Sequence, residues 1–103
     1  MARFDVYQNP DLEERKYVPF FLDIQNTYLE IETRVVIPLH ETEELVNNIK
    51  NLNTALTVQD KQVIMNTSAL GSIPTSDLRR PVANVATQQD IIQNALDTLF
   101  GGY

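Results

Sequence analysis

Hydrophobic and polar positions alternate at the start of the chain. In RFDVY (residues 3–7), Phe4 and Val6 fall on one side and Arg3, Asp5 and Tyr7 on the other, which predicts a half-buried strand. The stretch QNPDLEERK that follows is rich in turn formers and charge and reads as a surface loop. Phe21 to Ile24 predict a second strand, with Phe20, Leu22 and Ile24 on one face and Pro19 just before its core. TYLEIET (27–33) mixes apolar and acidic side chains and connects to TRVVIPL, a β-branched run bounded by Pro38 that predicts a strand covered on both faces. A short helix is expected from about Thr42 to Lys50, with Glu43 and Glu44 in its first turn.

Asn51 to Thr54 reads as a turn. ALTVQDKQVIMNT predicts a hairpin: Ala55 to Val58, a tight glycine-free turn over Gln59 to Lys61, then Gln62 to Thr67. A kink is expected at Gly71 and Pro74, and Arg80-Pro81 ends what precedes it. The clearest element is the last. Ile91, Ile92, Ala95, Leu96, Leu99 and Phe100 recur at the helical period, so a helix is expected over about Gln88 to Phe100. Thr87 is its expected N-cap, with Asp90 three residues on, and Gly101 its left-handed C-cap. The apolar stripe is wide enough for two contacts, one with the sheet and one with a second subunit or partner. Five or six short strands and a terminal helix favour a strongly bent antiparallel sheet with the helix packed on or beside it: a mainly β (α+β) fold.

Composition narrows the function. At 103 residues the chain is expected to form a single domain over 1–103, small enough that dimerisation is a natural way to bury more surface. No cysteine is present, which removes disulfides and thiolate metal sites. There is no membrane-length apolar run and no signal-like N-terminus, so the expected location is the cytoplasm. The net charge of −6 sits within residues 11–44, where nine acids face three bases. An acidic surface repels phosphate backbones, disfavouring direct nucleic-acid binding, and speeds association with basic peptides.

Catalytic chemistry is sparse. His40 is the one histidine, with no partner set for a triad or a metal, and no cofactor is implied. Glu41, Glu43 and Glu44 read as a solvated helix start, and no glycine-rich phosphate loop or calcium loop occurs. Arg34, Arg79 and Arg80 are the cations a metal-free ribonuclease would use, although Arg79 and Arg80 beside Asp77 read more simply as a charged loop.

Several segments carry a family resemblance: RFDVY, FFLDIQN (20–26), TRVVIPL (33–39), MNTSALGSIP (65–74) and NALDTLFGGY (94–103). Their order and spacing resemble the CcdB toxins of bacterial toxin–antitoxin systems, plasmid or chromosomal, over essentially the whole chain. The resemblance implies an SH3-like barrel with a C-terminal helix and a homodimer. It implies a non-enzymatic toxin that binds the A subunit of DNA gyrase and traps the cleaved-DNA complex. It further implies a cognate antitoxin that releases gyrase and, as a complex with the toxin, represses the operon; DNA is then met only through the antitoxin. The gyrase-binding positions carried over are Tyr28 and Leu29 in a loop, Asp97 on the helix, and Phe100, Gly101, Gly102 and Tyr103 at the tail. Here Gly101 stands where the family has tryptophan, Tyr103 where it has an aliphatic residue, and Asp97 where it has asparagine. Two other readings stay open: a non-toxic member that only binds antitoxin, and a ribonuclease toxin of the same fold.

Overall fold

The computed structural model describes residues 1–41 and 52–101. Along the chain come strands β1 (Asp5–Gln8), β2 (Phe20–Asp23), β3 (Thr33–His40), β4 (Ala55–Val58), β5 (Lys61–Met65), β6 (Gly71–Pro74) and β7 (Ala83–Asn84), then helix α1 (Gln89–Phe100). All pairings are antiparallel. The sheet runs β4-β5-β3-β2-β1-β7, with β6 also paired to β3. This is the expected SH3-like, barrel-like sheet with a C-terminal helix. The helix expected over Thr42 to Lys50 lies outside the described residues.

Strand β3 is the pivot. On one edge it pairs with β2; on the other, Leu39 and His40 pair with β5, whereas Thr33 to Val36 pair with β6. Between Met65 and Gly71 five residues (66–70) therefore face only two on β3 (37–38). The surplus forms a 3-10 turn at Thr67–Ala69 and lets the sheet bend. The expected kink thus lies before Gly71, and Gly71 to Pro74 are strand. Strand β3 also runs through Pro38 instead of stopping there. The Pro38 carbonyl accepts from Asn66 N–H at 3.0 Å, so the missing Pro38 N–H points to the edge where β5 has already left the ladder.

Alternation along β3 serves two cores, as the unbroken apolar run suggested. Ile37 and Leu39 join Val6, Leu22, Leu56, Val63 and Met65 in the main core, closed by Ile92, Ala95 and Leu96 of α1. Val36 faces the other way, against Tyr7, Leu78, Phe21 and Ile73. Tyr7 is therefore buried, contrary to the outward position expected from simple alternation: the first strand is covered on both faces. Phe4, expected within that strand, adopts φ 73° just before it, held by a bond from its N–H to the Asp23 carbonyl at 2.7 Å.

Burial, with the nearby Asp5 and Asp23 carboxylates, pushes the Tyr7 phenol from 10.0 up to about 12. The folded state then holds this proton more tightly than the unfolded chain. The resulting stability is complete below pH 10 and is lost as pH rises towards 12. Urea midpoints measured across that window should fall for the natural chain and fall less steeply for Tyr7→Phe.

The 58–61 hairpin turns through Gln59 and Asp60, both at positive φ (51° and 65°), a primed two-residue turn built without glycine. Helix α1 begins one residue later than expected and Thr87 does not cap it. A 3-10 turn at Ala86–Gln88 leads in, and Gln88 occupies the N-cap with no side-chain cap bond. Its amide is engaged elsewhere: Nε2 donates to the Thr57 carbonyl at 2.8 Å and Oε1 accepts from Thr57 N–H at 3.0 Å. The side chain thus covers the free edge of β4, a better use of an amide than one helix donor.

Candidate functional site: an outward loop and the helix end

The segment between β2 and β3 has the alternating pattern of a strand but forms none. An internal network holds it instead. Asp23 Oδ1 accepts from Gln25 N–H at 2.9 Å, and Asn26 Oδ1 from Tyr28 N–H at 2.9 Å, an Asx turn. Gln25 Oε1 accepts from Val35 N–H at 2.9 Å, tying the loop back to β3.

At the centre lies Arg34, 2% exposed, paired with Asp23 at 0%. Its Nε donates to Asp23 Oδ2 at 2.7 Å and its Nη2 to Asp23 Oδ1 at 3.0 Å, a two-point pairing. Nη2 also donates to the Gln25 carbonyl at 3.2 Å; Nη1 donates to the Leu29 carbonyl at 3.0 Å and the Asn26 carbonyl at 3.4 Å. The planar fork gathers three carbonyls of the loop onto one donor group, two of which also accept within the loop, Asn26 from Leu29 N–H at 3.1 Å and Leu29 from Gln25 Nε2 at 3.3 Å. Arg34 was a candidate ribonuclease cation; buried and fully engaged, it has no reach to a substrate.

The consequence is an apolar surface. Tyr28 is 92% exposed, and Leu29 and Ile31 are exposed beside it. On α1, Phe100 is 71% exposed, while Ile92, Ala95 and Leu96 are buried. The wide stripe divides as expected: one part enters the core and another faces out. Gln93, Asp97 and Phe100 are spaced four and three residues apart and share one helix face, and Gln93 Nε2 donates to Asp97 Oδ1 at 3.0 Å.

Arg3 joins loop and helix. Its backbone N–H donates to Thr27 Oγ1 at 2.9 Å, its guanidinium reaches Gln93 Oε1 at 3.5 Å, and it lies 4.9 Å from the centre of the Phe4 ring. Tyr28 and Leu29, one and two residues beyond Thr27, and Asp97, one turn beyond Gln93, are thus brought to neighbouring parts of one surface. Gly101 adopts the expected left-handed cap at φ 73°, its N–H donating to the Asp97 carbonyl. Gly102 and Tyr103 lie outside the described residues.

Sequence reasoning missed Arg3, Gln93, Ile31 and the Asp23–Arg34 pair. The available sign of the pair was one charge in each of two otherwise apolar strands. Among the described residues, no group of three His, Cys, Asp or Glu is placed to hold a metal ion. Among the described residues, the His40 ring meets the Asn66 amide, Asn66 Nδ2 to His40 Nε2 at 3.4 Å, and burial lowers its pKa. Among the described residues, no helix is long and apolar enough to cross a membrane. The surface thus offers contact area and amide groups, the chemistry of recognition.

The family model for the CcdB protein matches residues 3–102. The chain belongs to the CcdB family. This is a family of toxin–antitoxin toxins that poison DNA gyrase, acting by binding and not as enzymes. A search of curated proteins returned no match.

Proposed function

We propose that this CcdB-family chain, one domain over 1–103, binds the A subunit of DNA gyrase and traps the complex in which DNA is cleaved. A cognate antitoxin displaces it, and the two together repress their operon, with the antitoxin making the DNA contacts. The working form is a cytoplasmic homodimer without cofactor. The observation that carries this reading is the exposure of Tyr28, Leu29 and Phe100 on a chain whose family match spans the loop, the helix and residue 102. A large aromatic left uncovered costs hydrophobic free energy unless a partner covers it. Tyr28, Leu29, Asp97, Phe100, Gly101, Gly102 and Tyr103 form the proposed gyrase contact. Growth arrest on expression in a sensitive bacterium, with gyrase-dependent DNA breaks, tests it; unimpaired growth without breaks counts against it.

Gly101 favours the second reading, a member that binds antitoxin without killing. A tryptophan side chain at an interface often contributes about 2 kcal/mol or more, and glycine contributes no such area. At φ 73° any side chain at 101 is strained, although the space around it is open. Gly101→Ala should therefore lower stability by about 1 kcal/mol, read as a small drop in Tm. In the gyrase reading Tyr103 replaces the lost contact, and Tyr103→Ala abolishes toxicity.

A further inference from the structure

A cleft on another part of the surface holds three of the chain's eight basic residues. Arg15, Arg79 and Arg80 line it together with Leu12, Gln8 and Asp77, in a volume of about 390 Å³. Among the described residues the other cations are occupied. Arg34 is buried on Asp23, Lys61 pairs with Glu41 at 2.7 Å, Arg3 lies over Phe4, and Lys16 lies over Tyr17. Arg79 and Arg80 are exposed and have no hydrogen bond or ion pair within the described residues. A chain of net charge −6 thus presents a local excess of positive charge in one concavity.

Both walls are fixed in advance. On one side Asn9 is buried, its Nδ2 donating to the Val18 carbonyl at 2.9 Å and its Oδ1 accepting from Asp11 N–H at 2.9 Å. Arg15 Nε donates to the Asn9 carbonyl at 3.0 Å, which places the guanidinium and leaves its two Nη groups for a ligand. On the other side Leu78 is buried in the second core, and Thr75 N–H donates to the Glu32 carbonyl at 2.8 Å. Ordered walls lower the entropic cost of binding.

We propose that this cleft docks a short acidic peptide segment of a partner protein, two carboxylates on the arginines and an aliphatic side chain on Leu12, which is 74% exposed. Guanidinium forks match carboxylates in two-point geometry. The Asp77 carboxylate and Gln8 amide line the same cleft and accept from peptide N–H groups, donors that a phosphate chain lacks. Asp11, Glu13 and Glu14 gather on the same loop and disfavour any polyanion long enough to lie across it as well as in the cleft. The proposal rests on no reading of the Tyr28 loop or the helix end.

The test titrates the isotope-labelled full chain, followed by NMR, with a short capped peptide of alternating glutamate and leucine. Shifts should centre on Leu12, Arg15, Arg79 and Arg80 and weaken with added salt. Arg79→Glu/Arg80→Glu should bind roughly tenfold or more weakly, with an unchanged far-UV circular dichroism spectrum. Saturating shifts elsewhere, no binding by the natural chain, or equal binding by the variant would overturn the proposal. So would displacement of the peptide by an oligothymidylate of equal charge at equal concentration.

Discussion

Arg34→Ala should cost about 3–5 kcal/mol of stability, the loss expected when one partner of a buried ion pair is removed. The Asp23 carboxylate would be left at 0% exposure without its counter-charge, and the carbonyls of Gln25, Asn26 and Leu29 would lose their shared donor. Urea unfolding followed by circular dichroism measures it. Arg34→Lys keeps the charge but not the fork, so its stability should fall between the two. Asp23→Leu/Arg34→Met separates stability from positioning. Matched apolar side chains can replace a buried pair at little net cost, yet nothing then gathers the three carbonyls. That double variant should regain most of the stability and still lose gyrase binding through a loosened loop. A stable double variant with full gyrase binding would show that the pair serves stability alone.

Tyr28→Ala should weaken gyrase binding by about 2 kcal/mol, roughly thirtyfold, the size of a central aromatic contact. Its side chain is 92% exposed, and among the described residues its one hydrogen bond is from the backbone N–H to Asn26 Oδ1. Stability should therefore stay within about 0.5 kcal/mol, which separates lost recognition from lost folding. Surface-based binding measurements with the gyrase A subunit, paired with thermal melts, check both halves. An unchanged affinity would remove the loop from the contact.

The fold was legible where period and neighbours agree. Ile92, Ala95 and Leu96 follow a helical period and are the residues α1 buries. Phe20 and Leu22 alternate and fill one core. Pattern failed where tertiary pairing decides. Nothing local distinguishes Tyr7, buried, from Tyr28, exposed: the first meets Val36 and Leu78 across the sheet, the second stands on a loop whose carbonyls are held by Arg34. Thr87 had the side chain of a cap, but Gln88 was drawn to the edge of β4 and a 3-10 turn formed first. The candidate site was legible only in its outline. Tyr28, Leu29 and Phe100 came from resemblance and do lie exposed, whereas the pair that holds the loop needs coordinates, since Asp23 and Arg34 are eleven residues apart.

The central claim is that the exposed loop and helix end make this chain a gyrase poison. The most direct measurement incubates the purified chain with gyrase, ATP and supercoiled plasmid, then denatures the protein and counts linear DNA. The account predicts linear DNA that rises with the chain's concentration and is sharply reduced for Tyr28→Ala. Absence of linear DNA, with a folded chain and active gyrase, would contradict it.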